Sequence, residues 1–343
     1  MLCIRKIDRG VGQLSVDNID QPEAGTGEVL LKVSAAGICG TDMHIYHWAP
    51  FSERLKLPTV LGHEISGKVV TVGANVHKVK PGDFVTVESH IPCGSCYACQ
   101  TNRAHVCSNT RYPGVDIDGG FAEYTVLPER IVMPLPETID KKVAAMFEPF
   151  GIGVHASLEG SGVAGANVLI TGCGPIGLMN IMAARALGAH QIIATDINPL
   201  RLRQAEDAGA DTCINPNKQS TKDVVNKLTS GNGVDVMIEY SGAAESLALA
   251  ADCVTPGGEL RLVGVPSGET PINLEKWLLR GLVVRNIHGR RLHHTWEHAT
   301  RLVADNKVDL SMLVSHVLPL EEGQRGFDLI NNGEAIKVLF QPN

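Results

Sequence analysis

From about residue 151, short apolar runs bounded by glycine alternate with longer stretches of helical periodicity. NVLITG (167–172) and QIIATD (191–196) have the composition of buried strands, and CGPIGLMNIMAARALGA (173–189) and PLRLRQAEDAGA (199–210) that of helices. The pattern continues with strand-like runs VDVMIEYSG, ELRLVGV and LVVRNIHG, and with a helical AAESLALAADCV between the first two. Because parallel strands are joined by right-handed helical crossovers, this alternation predicts a doubly wound parallel sheet covered on both faces.

A glycine motif, Gly172-x-Gly174-x-x-Gly177, crosses the first strand-to-helix turn of this pattern. The motif alone would be weak in a chain with 36 glycines, but its place between a strand and a helix is the context of a dinucleotide fingerprint. Gly172 permits the tight turn, Gly174 lets the backbone approach a pyrophosphate, and Gly177 allows the helix to pack on the strand. The helix N-terminus then attracts the phosphates.

Asp196 ends the next predicted strand, roughly twenty residues after the glycine motif. Its carboxylate can accept hydrogen bonds from a ribose diol and would repel a 2′-phosphate, so it predicts NAD rather than NADP as the cofactor. The nearby Arg201 and Arg203 could favour a 2′-phosphate and leave NADP open.

Four cysteines occur within fifteen residues, spaced Cys93-x2-Cys96-x2-Cys99-x7-Cys107. Thiolates on a short, polar, glycine-containing loop suit one tetrahedral zinc ion, and four sulfur ligands leave no open position for a substrate. The spacing therefore predicts a structural zinc site. Buried or redox-active thiols and an iron–sulfur cluster are the alternatives.

A second possible metal site lies upstream, where Cys39 in GICGTDMHIYHW is followed by His63 and Glu64 in LPTVLGHEISG. Cysteine, histidine and carboxylate are the usual ligands of a catalytic zinc, which keeps one exchangeable position. Taken alone, a single cysteine and a single His-Glu pair are more often packing or surface residues. Glycines around short strand-like runs place them at strand ends and turns, where ligands commonly lie.

Composition limits the class of protein. The chain has 343 residues and nine cysteines, five of them isolated, so a disulfide framework is not indicated and a reducing, cytoplasmic setting is expected. We see no signal-peptide core and no run of eighteen apolar residues, and the formal net charge is -7. We therefore expect no membrane span and no nucleic-acid partner.

Zinc and a nicotinamide cofactor together predict an alcohol dehydrogenase, because zinc can stabilise an alkoxide while the nicotinamide accepts a hydride. Four motifs resemble those of the zinc-dependent medium-chain dehydrogenases, in order and spacing over nearly the whole chain: GHE (62–64), CGSCYAC (93–99), GGFAEY (119–124) and GCGPIG (172–177). Other stretches resemble the threonine-oxidising subfamily: ICGTDMHIYHW, ESHIPCGSC, EPFGIGVH and GRRLHHTWEHATRLVADNKVDLSMLVSH.

This resemblance implies an α/β fold in three parts. Residues 1–150 would form a GroES-like, β-rich catalytic domain with a structural-zinc lobe at about 90–110. Residues 151–289 would form an NAD-binding Rossmann domain, and 290–343 would return to the catalytic domain. The active site would lie in the cleft between the domains, and close relatives are commonly homotetramers.

The resemblance also implies roles for individual residues. Cys39, His63 and Glu64 would bind the catalytic zinc, with Glu148 beside the metal, so that each subunit would hold two zinc ions. Thr41 and His44 match the proton relay of the family, and His90 matches a position near the substrate, although a histidine there could instead cap a strand. On the cofactor side the matching positions are Ile176, Asp196, Arg201, Val263, Gly264, Val265, Ile287 and His288.

For this subfamily the expected reaction is oxidation of the secondary alcohol of L-threonine to 2-amino-3-ketobutyrate. Polyol and butanediol dehydrogenases share the metal and cofactor motifs and remain the main alternative. His293 and His294 depart from the family pattern and are expected to face solvent. A nucleic-acid-binding zinc ribbon is a distant alternative, because the loop lacks a basic stripe. A catalytically silent member would have had to lose the Cys39, His63 and Glu64 set, which is present.

Overall fold

The computed structural model describes residues 1–266 and 268–343 and contains two compact units. Unit 1 comprises Met1–Glu148 and Asp309–Asn343, and unit 2 comprises Pro149–Val308. The return to the first unit therefore begins at 309, later than the expected 290. Residues 290–308 belong with unit 2, where Arg291 forms an ion pair with Glu159 at 2.6 Å.

Unit 1 consists mainly of antiparallel strands. With strands numbered along the whole chain, it contains β1 (Leu2–Lys6), β2 (Leu14–Asn18), β3 (Glu28–Gly37), β4 (Thr59–Val60), β5 (Glu64–Val72), β6 (Phe84–Val87), β7 (Tyr124–Pro128), β8 (Val132–Pro134), β15 (Val314–Leu318) and β16 (Lys337–Phe340). A small sheet has the order β2-β1-β4, and a larger one the order β15-β16-β3-β5-β6-β8, with β7 also paired to β3. β16 pairs antiparallel with β3, so the C-terminal segment completes the larger sheet.

The helices of unit 1 are short. They are α1 (Gly40–Tyr46), α2 (Tyr97–Gln100), α3 (Lys141–Ala145) and α11 (Gly323–Asn331), with 3-10 turns at Pro50–Arg54, Ala104–Val106, Glu129–Ile131, Leu310–Leu313 and Leu320–Glu322. Helix α1 begins directly after Cys39, which is its N-cap residue. Asp42 explains this start, because its side chain accepts a hydrogen bond from the Cys39 backbone N–H at 2.9 Å.

The core of unit 1 joins both of its chain segments. Phe121 packs edge-to-face on Phe340, with ring centroids 5.0 Å apart, and Tyr46 stacks on Phe327 at 5.5 Å. All three phenylalanines are fully buried. Since burial of one such side chain contributes about 1.5–3 kcal/mol, the C-terminal segment is an integral part of this core.

Unit 2 contains a parallel sheet flanked by helices. Its strands are β9 (Asn167–Thr171), β10 (Gln191–Thr195), β11 (Thr212–Ile214), β12 (Val234–Glu239), β13 (Val254–Leu262) and β14 (Val283–Asn286). Its helices are α4 (Phe147–Leu158, which begins in unit 1), α5 (Pro175–Ala186), α6 (Pro199–Asp207), α7 (Thr221–Leu228), α8 (Ala244–Cys253), α9 (Leu274–Arg280) and α10 (His294–Ala304). Among the described residues the strand order is β11-β10-β9-β12-β13-β14.

This order is that of the Rossmann fold, and the predicted α/β class is confirmed. From β9, the strands β10 and β11 are added on one side of the sheet, and β12, β13 and β14 on the other. The carboxyl ends of β9 and β12 therefore form the switch point at which dinucleotides bind in such sheets. Helix α5 is shorter than the predicted 173–189, because Pro175 fixes its first position. No helix in the described part of the chain is both long and apolar enough to span a bilayer.

Candidate functional site

The four clustered cysteines converge on one point in unit 1. Their sulfur atoms are separated by 3.5 Å (Cys93 and Cys107), 3.6 Å (Cys96 and Cys99), 3.7 Å (Cys96 and Cys107) and 4.0 Å (Cys93 and Cys99). A tetrahedron of thiolates about 2.3 Å from zinc has edges of about 3.8 Å. The cluster therefore fits one zinc ion with four sulfur ligands.

Backbone N–H groups stabilise thiolates in this cluster. The Cys96 amide donates to Cys93 Sγ, and the amides of Cys93 and Asn109 donate to Cys107 Sγ, each at 3.3 Å. Hydrogen bonds from the Ser95 and Cys96 backbones lower the pKa of Cys93 to about 5. Burial raises the pKa of Cys99, so metal binding must displace a proton there.

The second constellation is also assembled. One ligand atom each from Cys39, His63 and Glu64 lies within 4.8 Å of the others. The pairing of β3 with β5 accounts for this proximity. It places Glu64 opposite Gly37, and Gly37 is two residues before Cys39 in the chain. A thiol, an imidazole and a carboxylate form a three-ligand set of the catalytic type, which leaves one position for a substrate oxygen.

The Glu64 carboxylate supports this assignment. It is fully buried; its Oε2 forms an ion pair with Lys337, whereas its Oε1 has no hydrogen-bond partner. Burial raises its pKa, while the adjacent ammonium of Lys337, with which it forms an ion pair, opposes that shift. A buried carboxylate oxygen without a partner is costly, and a cation bound beside Oε1 would offset that cost.

Lys337 was not singled out in the sequence. It is 2% exposed and donates a hydrogen bond to the Ile38 carbonyl at 2.8 Å, beside the Cys39 end of the metal constellation. The available signal was a lysine in the otherwise apolar strand KVLF. Such a lysine is rarely fully buried unless it is paired.

The charges of His63 and Asp42 interact. The Asp42 carboxylate is buried and lies 3.9 Å from His63 Nδ1. Burial alone would lower the pKa of His63, but Cys39, Asp42 and Glu148 raise it to about 10. The metal-free site therefore holds a proton on the imidazole, which zinc must displace.

Thr41 and His44 lie on α1, directly after Cys39. The Thr41 hydroxyl is 3.9 Å from Cys39 Sγ and half-buried, whereas His44 is exposed. Residues three apart on a helix share a face. The Thr41 hydroxyl thus lies next to the metal constellation, and the His44 imidazole lies at the surface.

Glu148 and His90 are each hydrogen-bonded to the side chain of another residue. Ser89 Oγ donates to Glu148 Oε1 at 2.6 Å, and Glu88 Oε1 lies 2.8 Å from His90 Nδ1. All four side chains are buried. Glu88 and Ser89 were missed in the sequence, because the polar ESH that ends DFVTVESH looks like the end of a strand.

The glycine motif adopts the conformations that its fingerprint requires. Gly172 has φ +91°, and a Cβ there would lie 2.8 Å from the Ser241 backbone nitrogen. A Cβ on Gly177 would lie 2.0 Å from the Gly172 carbonyl oxygen, whereas one on Gly174 would have no neighbour within 4 Å. Gly174 is thus free of protein contacts at the N-terminus of α5, where phosphates bind.

Asp196 follows β10 and already has local partners. Its Oδ2 accepts a hydrogen bond from the Cys173 N–H and its Oδ1 one from the Asn198 N–H, both at 2.8 Å. An Arg201 guanidinium nitrogen lies 3.8 Å from Oδ2. Since a carboxylate offers about four acceptor sites, it can hold the glycine turn and still accept from a ribose.

The other predicted cofactor residues lie where strands end. Ile176 is in the first turn of α5, residues 263–265 follow β13, and Ile287 and His288 follow β14. Because the strands are parallel, these positions share the carboxyl edge of the sheet with Gly172 and Asp196. Their contacts with a cofactor remain a prediction.

Glu239, whose role was not predicted from the sequence, bonds to two loops at this edge of the sheet. Its buried carboxylate accepts hydrogen bonds from the Ser241 and Gly242 amides at 2.7 and 3.0 Å. Its backbone carbonyl accepts bonds from the Val263 and Gly264 amides at 2.9 and 2.8 Å. The loops after β12 and β13 are therefore fixed to one residue.

Two protein families match the chain. The alcohol dehydrogenase GroES-like domain family matches residues 25–137, and the zinc-binding dehydrogenase family matches residues 175–305. Both describe dehydrogenases and give no support to a nucleic-acid-binding zinc ribbon.

Curated relatives match over the full length. A Bacillus subtilis (strain 168) protein named L-threonine 3-dehydrogenase is 40% identical over 344 residues, which cover 100% of this chain and 99% of the relative. A Pyrococcus horikoshii protein of the same name is 40% identical over 343 residues, with coverages of 99% and 98%.

Solved structures with the same fold include dehydrogenases of other names. A zinc-binding dehydrogenase from Sinorhizobium meliloti 1021, bound to NADP, is 33% identical with a TM-score of 0.90, covering 99% of each chain. A 2R,3R-butanediol dehydrogenase from Bacillus subtilis is 28% identical with a TM-score of 0.91, covering 100% of this chain and 99% of its own.

Proposed function

This chain belongs to the family of zinc-dependent medium-chain alcohol dehydrogenases, and from that premise we propose that it oxidises the secondary alcohol of L-threonine to 2-amino-3-ketobutyrate. The observation that carries the proposal is the constellation of the half-buried Cys39 with the buried His63 and Glu64, in a chain similar over its full length to proteins named L-threonine 3-dehydrogenase. NAD is the proposed hydride acceptor.

The two metal sites have different roles. Cys39, His63 and Glu64 hold the catalytic zinc, and the four clustered cysteines hold a structural zinc. When bound, the catalytic zinc supplies a Lewis acid for the alcohol oxygen, and the nicotinamide supplies the hydride acceptor. Glu148, held by Ser89, places a second carboxylate beside this set.

Two residues of α1 carry the proton released from the alcohol. The half-buried Thr41 hydroxyl accepts it beside Cys39, and the exposed His44 imidazole transfers it to solvent. The alcohol thus loses a hydride and a proton by separate routes, which balances its two-electron oxidation.

The cofactor contacts follow from the carboxyl edge of the parallel sheet. Gly174 lets the pyrophosphate approach the N-terminus of α5, and Asp196 accepts from the ribose hydroxyls. This carboxylate favours NAD, although a neighbour of the same fold binds NADP and Arg201 lies beside Asp196. The remaining contacts would come from Ile176, Val263, Gly264, Val265, Ile287 and His288.

We further propose a homotetramer located in the cytoplasm. The sheet of unit 2 ends at β14, whose Val283 and Val284 are each about two-fifths exposed, and the neighbouring α9 exposes Leu278 and Leu279. An apolar edge strand is a template for pairing with a second copy. All nine cysteines are free, and free thiols persist in a reducing compartment. Light scattering of the purified protein tests the tetramer, and a monomeric mass would refute it.

The function is tested by initial rates of NAD reduction on zinc-replete protein, with L-threonine, sorbitol, 2,3-butanediol and a primary alcohol at equal concentration. Preference for L-threonine supports the proposal, and preference for sorbitol or the diol would replace the substrate. Cys39→Ser should abolish turnover without weakening NAD binding, because it removes a metal ligand in unit 1 only. Retained turnover would exclude Cys39 from the catalytic set.

A further inference from the structure

Helix α10 begins with histidines that the proposed function does not use. His293 is its N-cap residue, His294 is its first residue, and His298 follows one turn later. His293 and His294 are exposed, and His298 is half-buried. Residues four apart on a helix lie on the same face, so His294 and His298 are neighbours on the surface of unit 2. These two residues are called the histidine pair below.

The rings of the histidine pair are as far apart as two imidazoles bound to one metal ion. Their centroids are 4.5 Å apart, and their planes are inclined at 46°. With a metal–nitrogen distance of about 2.1 Å, each ring centroid lies about 3.2 Å from the ion, so two rings at a right angle have centroids about 4.5 Å apart. An inclination of 46° is neither the stacked nor the edge-to-face contact that aromatic rings prefer by themselves.

One hydrogen bond determines the tautomer of His298. Its Nδ1 lies 3.0 Å from the backbone carbonyl oxygen of His294. Because a carbonyl oxygen can only accept, Nδ1 carries the proton, and Nε2 of the neutral ring keeps a lone pair. Metal-binding histidines commonly donate their other ring N–H to a carbonyl or a carboxylate in this way. His298 thus already has the tautomer and the outer hydrogen bond of a metal ligand.

The histidine pair supplies only two ligands. Within residues 1–266 and 268–343, groups of three or more convergent metal ligands occur only at the two zinc sites proposed above. Glu297, the carboxylate next to His298 in the chain, forms an ion pair with Arg301 at 2.5 Å. Water would fill the other coordination positions of an ion, so binding should be weaker and more readily reversed than at either zinc site.

The chemistry of the ligands limits which ion can bind. Two neutral imidazoles suit late first-row ions such as Zn²⁺, Ni²⁺ and Cu²⁺, whereas Mg²⁺ and Ca²⁺ require oxygen ligands. The positive end of the α10 dipole opposes any cation beside His294, by about two- to fivefold in affinity. This cost lowers the affinity but does not change the choice of ion.

An ion on the histidine pair would strengthen the start of α10. The helix has no side-chain hydrogen bond at its N-cap, and His293 has φ +72°, which is unfavourable for a residue with a Cβ. An ion shared by His294 and His298 would link the first turn of the helix to the second and oppose fraying at this end.

We propose that His294 and His298 form a transition-metal site in addition to the two zinc sites, which binds one late first-row divalent ion reversibly and stabilises the first turn of α10. The inference does not rest on the proposed function, because no residue of the metal constellation or of the carboxyl edge of the sheet takes part in it.

The test titrates Ni²⁺ into the untagged, full-length, zinc-replete protein by calorimetry, with zinc content measured before and after so that exchange at the cysteine cluster is detected. The wild type should bind Ni²⁺ without losing zinc. His294→Ala and His298→Ala should each weaken this binding about tenfold or more, because each leaves a single nitrogen ligand. His190→Ala removes an exposed histidine of the same unit with no histidine near it in the chain, and should leave the affinity unchanged.

A second pair of exposed histidines, His44 and His47 at the end of α1, is the alternative place for the ion. His47→Ala should therefore leave the Ni²⁺ affinity unchanged. Ni²⁺ should also raise the Tm of the wild type more than that of His298→Ala, and an equal rise would refute the stabilisation of α10.

Three results of the titration would overturn the inference: no saturable binding up to about 1 mM Ni²⁺, an unchanged affinity in either His294→Ala or His298→Ala, or loss of the bound ion in His47→Ala. Release of zinc in proportion to the Ni²⁺ bound would also refute it, because the ion would then occupy a zinc site.

Discussion

Alanine substitutions at two glycines of the same motif should separate packing from cofactor binding. In Gly177→Ala the new Cβ would lie 2.0 Å from the Gly172 carbonyl oxygen, and ordinary van der Waals contact begins at 3.4 Å. The obstacle is backbone, so the first turn of α5 would have to move away from β9 by about 1.4 Å. Overpacking costs about 1–3 kcal/mol of stability, and the displaced turn should also weaken NAD binding.

Gly174→Ala is the matched control, because its Cβ would meet no protein atom within 4 Å and its φ of -68° is open to alanine. The only expected cost to folding is the poorer N-cap of α5, about 1 kcal/mol or less. If the pyrophosphate approaches the chain at Gly174, the same methyl group should still weaken NAD binding by about tenfold or more.

Denaturant unfolding without cofactor and NAD titration by calorimetry measure the two effects. Gly177→Ala should lose stability and NAD affinity together, whereas Gly174→Ala should lose affinity almost alone. Wild-type NAD affinity in Gly174→Ala would refute the placement of the pyrophosphate at this glycine. Wild-type stability in Gly177→Ala would refute the packing argument.

Three further substitutions or conditions test the metal and cofactor sites. Cys96→Ser should reduce zinc from two ions to one per subunit and lower Tm, with the isolated Cys213→Ser as control; unchanged zinc and Tm would exclude a structural site. Asp196→Asn should shift preference from NAD toward NADP, and an unmoved ratio of the two kcat/KM values would contradict the ribose contact. In the metal-free protein the pKa of His63 is raised from 6.5 to about 10, so its stabilising contribution is full below pH 6.5 and is lost as the pH rises through 10. The His63 ring of the metal-free protein should therefore be protonated at pH 8 and become neutral when zinc binds; an NMR spectrum that shows a neutral His63 ring at pH 8 before zinc is added would contradict the raised pKa.

The parallel sheet and the four-cysteine cluster could be predicted from sequence because their patterns are local. β9, α5 and β10 follow one another with the glycine motif between them, and the cluster lies within fifteen residues. In both cases spacing along the chain determines spacing in the fold. The short β11 was not predicted, since a three-residue strand has too little periodicity to detect.

The surroundings of the metal constellation could not be predicted in the same way. Lys337 reaches the constellation from almost three hundred residues away, through the pairing of β16 with β3. Asp42 acts on His63 across a contact between α1 and the start of β5. These residues resemble ordinary surface charges in the sequence, and only the register of the sheet identifies their roles.

The return of residues 309–343 to unit 1 has a consequence for synthesis on the ribosome. Translation proceeds from the N-terminus, and domains generally fold as they emerge. Unit 2 is encoded without interruption and can fold while its last strand is being released. Unit 1 cannot complete its larger sheet until the C-terminal segment is synthesised. Before that, β3 lacks its neighbour β16 and Glu64 lacks its ion-pair partner Lys337. A chain terminated just after residue 308 would thus carry the whole of unit 2, whereas its unit 1 would lack β16 and the ion pair of Glu64 with Lys337.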